Sequence, residues 1–169
     1  MVDRELEQLA TETGCALKNA GRLVVTAESC TGGWVGMALT AIAGSSDWFD
    51  RGFITYSNAA KREVLGVDPA TLDEFGAVSE QTAREMALGA LRYSPAHIAV
   101  AITGIAGPGG GSADKPVGTV CFAWAERNLA LHSAKHLLHG DRGDVRRQCV
   151  VIALRGILLL LAEQKTAIA

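Results

Sequence analysis

Leu6, Leu9, Ala10, Thr13 and Leu17 fall on one face at helical spacing, so the chain opens on an amphipathic helix. Asp3 is placed to cap it and Gly21 to stop it. The run Leu23–Ala27 then reads as a buried strand, and Val35, Ala38, Leu39 and Ile42 return to the helical period. Between them lies Ala27-Glu28-Ser29-Cys30-Thr31-Gly32-Gly33, a strand-to-helix turn. A further turn, Ala43 to Asp47, precedes the apolar anchors Trp48 and Phe49, and a second strand is expected over Gly52–Tyr56. Ser57 and Asn58 can cap a short helix that holds Lys61 in its first turn and ends near Gly66. Asp68-Pro69 and Phe75-Gly76-Ala77 bracket an expected loop. Ser79 then caps a helix with Ala83, Met86, Ala87, Ala90 and Leu91 facing inward.

His97–Ile102 is nearly continuously apolar, the pattern of a strand covered on both faces. It leads into a glycine-rich loop from Thr103 to Pro116. Val117–Ala125 and Leu129–Leu138 read as an antiparallel hairpin about Glu126-Arg127-Asn128. The last helix, about Asp144 to Glu163, is apolar around much of its circumference, which suits a central core element or half of a subunit interface. Alternating helices and strands with a late hairpin predict an α/β fold: three layers, α/β/α, about a mixed sheet of five or six strands, in one domain over residues 1–169. Ligands in such sheets bind beyond the carboxyl ends of parallel strands, where the Ser29 turn, the Tyr56–Lys61 segment and the Thr103 loop are all expected.

Composition narrows the setting. With 49% hydrophobic and 20% charged residues, the chain has ordinary globular usage and needs no metal or disulfide to hold a core. A net charge of -2 and a pI near 6.1 give no basic footprint for nucleic acid. Cys15, Cys30, Cys121 and Cys149 are scattered, without metal-ligand spacing, so reduced thiols in a cytoplasmic protein are expected. The apolar stretch from Cys149 to Ala162 is broken by Arg155 and Gly156, too short for a membrane span.

Three potential nucleophiles, Ser29, Cys30 and Thr31, stand consecutively in the first turn. The N–H groups of Cys30, Thr31, Gly32 and Gly33, at a helix start, suit an oxyanion or a phosphate. A serine needs a base. The four histidines, His97, His132, His136 and His139, form no recognisable triad pattern. Lys61 is the better candidate base, because the positive end of its helix favours the neutral amine, with Tyr56 as an adjacent hydrogen-bonding group. Thr103, Gly104 and Gly107 can let a nucleotide approach the main chain, and Arg142 or Arg146 can clamp a phosphate bidentately. Each has a blander reading: Ser29 as a helix cap, Cys30 as a packed thiol, Lys61 as a solvated lysine. Only their conjunction is specific.

Several strings carry a closer likeness: TAESCTGG from Thr26, AGSSDWFDRGFITYSNAAK from Ala43, GAVSE from Gly76, TGIAGPGGGS from Thr103, KPVGTV from Lys115 and GDR from Gly140. In this order they resemble the CinA C-terminal domain family over nearly the whole chain. The family includes nicotinamide-nucleotide amidases, so the resemblance implies hydrolysis of nicotinamide mononucleotide to nicotinate mononucleotide and ammonia in pyridine-nucleotide salvage. It further implies that Ser29 attacks the carboxamide, aided by Lys61, Tyr56 and either Arg142 or Arg146, with Thr103 and its glycines in the substrate pocket. No metal or other cofactor is implied, and a homo-oligomer is expected. The alternative is a catalytically silent nucleotide-binding or interaction module.

Overall fold

The computed structural model describes residues 3–167. Helix α1 (Arg4–Ala20) begins where Asp3 accepts from the Leu6 N–H at 3.2 Å and ends at Gly21, which is left-handed at φ 63°. Strand β1 (Val24–Glu28), helix α2 (Trp34–Thr40), a 3-10 turn (Ser45–Asp47) and strand β2 (Phe49–Ile54) follow. Then come α3 (Asn58–Leu65), α4 (Pro69–Phe75), α5 (Glu80–Arg92), β3 (Ile98–Gly104), β4 (Thr119–Glu126), β5 (Leu131–Leu137) and α6 (Arg142–Ala167).

The strands form one five-stranded sheet in the order β2-β1-β3-β4-β5. β1 pairs in parallel with β2 and β3, while β4 and β5 add antiparallel. The alternation of side chains along each strand sends alternate residues to separate cores. Val24, Ile98, Val100, Ile102 and Phe122 pack under α1, α2 and α6. Val25, Ala27, Ala99, Ala101, Ala123 and Ala125 face the layer of α3, α4 and α5. Small alanines on that second face let α5 settle close to the sheet. The fold is therefore the expected α/β/α sandwich about a mixed sheet.

Three local expectations change. Residues 69–75, expected as loop, form α4: Asp68 accepts from the Ala70 N–H at 2.9 Å and Pro69 opens the helix, so the Asp-Pro pair marks a helix start. The second strand begins at Phe49 rather than Gly52 and stops at Ile54, because Phe49 already pairs with Val24 and Tyr56 lies beyond the ladder. α6 is longer at both ends than the apolar pattern implied. Its apolar circumference is largely consumed within the chain: Val145, Cys149, Val150, Ala153, Leu154, Ile157 and Leu161 are buried, and the Trp124 indole N–H donates to the Ala153 carbonyl. Among the described residues, no helix is long and apolar enough to cross a membrane.

The connections place the site. Chain leaving β1 turns to the α2 face, whereas chain leaving the adjacent β2 turns to the α3 face. Neighbouring strands whose exits diverge open a crevice at their carboxyl ends. The β3–β4 loop and the approach to α6 come to that same end, since β4 begins opposite the end of β3 and β5 ends opposite the start of β4.

Candidate active site

Ser29 follows directly on β1. Its N–H donates to the Ile102 carbonyl at 3.0 Å, extending the central pairing by one residue, and the Thr55 N–H donates to the Glu28 carbonyl at 2.9 Å on the other side. The turn thus starts from backbone held on both flanks. Ser29 itself is buried, at 7% exposure.

Lys61 comes from α3, whose N-cap Ser57 accepts from the Ala60 N–H at 3.0 Å. Its side chain is 1% exposed and its ammonium nitrogen lies 3.1 Å from Ser29 Oγ and 2.9 Å from the Thr55 carbonyl. Burial draws its pKa below the ordinary 10.5, because the interior disfavours the charged form; the nearby Cys30 opposes this. The downward direction matches the expectation from the helix start, but the cause is desolvation. The solvated-lysine reading of Lys61 does not hold.

The helix start itself is already occupied. Glu28, 1% exposed, turns toward α2 and accepts from the N–H groups of Gly33 at 3.0 Å, Val35 at 3.1 Å and Gly36 at 2.9 Å. The Gly32 N–H closes the turn on the Ser29 carbonyl at 3.0 Å. Of the four N–H groups proposed for an anion, those of Gly32 and Gly33 are therefore engaged, leaving Cys30 and Thr31. From the sequence, Glu28 is assigned no role. A carboxylate directly ahead of a strand-to-helix turn, with no cation nearby in sequence, is the signal by which it could be found.

Cys30 is buried and packs in the first core, among residues of the α1/α2/α6 layer. A hydrogen bond from Cys149 draws its thiol below the ordinary range. Thr31 is fully buried.

The two candidate arginines part company. Arg146 donates to the Cys30 carbonyl at 3.0 Å and to the Thr31 carbonyl at 2.9 Å, so its fork is committed to the turn rather than free for a phosphate. Arg142, the first residue of α6, is exposed and bridges the rim, donating to the Gly107 carbonyl at 2.8 Å and to the Tyr56 hydroxyl at 3.0 Å. Tyr56 is 59% exposed and meets Arg142, not Ser29. Thr103 is buried with its hydroxyl donating to the Ala77 carbonyl at 2.7 Å. The Gly104 and Gly107 positions have an internal reason for glycine: a Cβ would lie 2.7 Å from Val120 at the first and 2.6 Å from Val117 at the second.

Among the described residues, no histidine hydrogen-bonds to Ser29 or Lys61, and His139 lies on the approach to α6 with its carbonyl accepting from the Gln148 amide at 2.7 Å. His97 accepts from the Leu23 N–H at 3.0 Å, at the opposite end of the sheet, and His132 and His136 lie on the edge strand β5. Among the described residues, no cluster of three or more His, Cys, Asp or Glu could hold a metal ion. A groove of about 420 Å³ between β5 and α6, lined by Trp124, His132, Ile152 and Leu159, shares no residue with the Ser29 group.

A family model described as "CinA C-terminal domain" matches residues 6–161. The chain is 54% identical over 158 residues to the nicotinamide-nucleotide amidohydrolase PncC of Enterobacter agglomerans, covering 94% of this chain and 96% of that one. To the protein of the same name from Pseudomonas putida it is 47% identical, covering 92% and 96%. Among solved structures, the competence/damage inducible protein CihA from Agrobacterium tumefaciens superposes with a TM-score of 0.89 at 51% identity, covering 93% of this chain and 95% of that one.

Proposed function

Because this chain belongs to the CinA C-terminal domain family, we propose that it is a nicotinamide-nucleotide amidohydrolase with Ser29 as nucleophile and Lys61 as base. The observation that carries the reading is the buried Lys61 nitrogen 3.1 Å from Ser29 Oγ, in a chain 54% identical to a protein named for that activity. Neutral Lys61 can donate to the Thr55 carbonyl and turn its lone pair to the serine hydroxyl. As Ser29 Oγ bonds to the carboxamide carbon, its proton passes to Lys61 and the carbonyl electron pair moves onto oxygen. Collapse breaks the C–N bond, and Lys61 returns the proton to the departing ammonia. Water, deprotonated by the same amine, then releases nicotinate mononucleotide and restores the serine.

Substrate contacts follow from what remains free. The N–H groups of Cys30 and Thr31 face the oxyanion, and exposed Arg142 meets the nucleotide phosphate with Tyr56 at the mouth. The reaction belongs to pyridine-nucleotide salvage, and a cytoplasmic setting suits four free thiols. Burial of Lys61 against Ser29 favours this reading over a silent binding module, which gives no reason to place an amine there.

Purified protein is expected to release ammonia from nicotinamide mononucleotide without added cofactor, and Ser29→Ala to remove turnover while the circular dichroism spectrum stays unchanged. Full activity in Ser29→Ala would overturn the nucleophile, and no ammonia from the wild type would overturn the substrate.

A further inference from the structure

The turn that carries the nucleophile is gripped from one side by a single side chain. Arg146, on α6, reaches the carbonyls of both Cys30 and Thr31, and its guanidinium carbon lies 5.4 Å from the centre of the Trp34 ring. A planar fork on two successive carbonyls fixes two peptide planes together. In a trans peptide the C=O and N–H point in opposite directions. With the Cys30 carbonyl drawn toward α6, the Thr31 N–H is turned away from that layer, toward the one from which Lys61 meets Ser29. The N–H groups that follow it in the turn are engaged: Gly32 with the Ser29 carbonyl, Gly33 with Glu28, Trp34 with the Thr31 carbonyl. The Thr31 N–H has no acceptor among the described residues, although Thr31 is fully buried. Buried N–H groups are rarely left so, and the exceptions call for an explanation such as strain or a catalytic role.

We propose that Arg146 is a positioning residue: by holding the Cys30 and Thr31 carbonyls it aims the Thr31 N–H at the oxygen that becomes negative when Ser29 attacks. The cation behind the peptide also polarises it, strengthening the donor on its far side. This places Arg146 behind the oxyanion rather than on the substrate's phosphate, and it rests on the serine-amidase reading above. Cys149, three residues further along α6, packs against Cys30 and holds the same turn by its side chain.

The test compares Arg146→Ala, Arg146→Lys and the wild type by two readouts. One is steady-state hydrolysis of nicotinamide mononucleotide. The other is the rate at which a fluorophosphonate phosphonylates Ser29, since its phosphoryl oxygen occupies the oxyanion position whatever the natural substrate. In Arg146→Ala, kcat and the labelling rate are both expected to fall roughly 100-fold, as for loss of one oxyanion donor, with KM little changed. Guanidinium ion added at millimolar concentration restores part of both rates. Arg146→Lys, which keeps the charge but not the fork, lies between, and its kcat and KM decide the matter if Arg146→Ala does not fold. Unchanged kcat and labelling overturn the proposal, as does a raised KM with kcat intact, which would make Arg146 a substrate contact. Wild-type protein that labels at Ser29 but leaves the nucleotide untouched defeats the substrate assignment alone, and the labelling comparison still decides Arg146. Absence of labelling in the wild type defeats both.

Discussion

At the scale of residues, the site depends on two ionisable groups taken out of water for opposite ends. Lys61 is buried so that its neutral form is within reach. Its folded pKa is depressed, while in the unfolded chain it keeps its proton up to about 10.5. Between the two values the unfolded state binds more protons, so stability rises with pH across that window. Lys61→Met is expected to abolish this rise in urea midpoints measured from neutral to alkaline pH, and to lower kcat by at least about 100-fold. Wild-type kcat should fall as pH drops through the depressed value. An identical pH dependence of stability in Lys61→Met would show that the amine is not desolvated. Glu28, by contrast, is buried as a structural acceptor for three N–H groups. Glu28→Gln exchanges one acceptor oxygen for an NH₂ that faces other donors, at a cost of about 3 kcal/mol, read in the same denaturation experiment. A change below about 0.5 kcal/mol would mean that α2 is anchored by packing alone.

At the scale of elements, α3 matters for where it holds one amine. Its end is seated against α5, and a Cβ at Gly89 would lie 2.0 Å from the Leu65 carbonyl oxygen. Leu65 is one helical turn beyond Lys61, so a shift of the one moves the other. Gly89→Ala improves helix propensity by about 1 kcal/mol but forces this contact apart, and overpacking of this kind costs about 1 to 3 kcal/mol. The expected outcome is a lower melting temperature together with roughly ten-fold lower kcat, since small misplacements of a reacting group are expensive. A stabilised and fully active Gly89→Ala would show that α3 can give way without disturbing Lys61. α6 acts on the other side: Arg147 pairs with Asp3 and Glu5 of the first helix region, fixing the helix from which Arg146 and Arg142 project.

At the scale of the whole molecule, two cores share one sheet, and the site lies at the end where their layers diverge. Because β1, β3 and β4 belong to both cores, we expect the described residues to unfold as one unit. Thermal melts followed by tryptophan fluorescence and by far-ultraviolet circular dichroism should coincide, and two separated transitions would show that the layers melt independently. Much of this was legible beforehand. Capped helices at Asp3, Ser57 and Ser79, the continuous apolar run of β3 and the hairpin each declare themselves through local chemistry, and the α/β/α arrangement follows from their order. The Ser29 turn was also visible as a cluster of small and reactive residues between two periodicities. α4 was missed because a short helix of seven residues has too few turns to display a period, and only its Asp-Pro start betrays it.

What the sequence alone determined is the set of elements and the list of chemically capable residues, because capping, periodicity and side-chain chemistry act over a few neighbouring positions. What only the tertiary structure decided is which of those residues meet: Lys61 with Ser29 across 32 positions, Tyr56 with Arg142 across 86, and Arg146 with the Cys30 carbonyl across 116. Such separations leave no local signature. They are set by strand order and by the face to which each connection turns, and these also chose Arg142 for the open rim and Arg146 for the back of the turn.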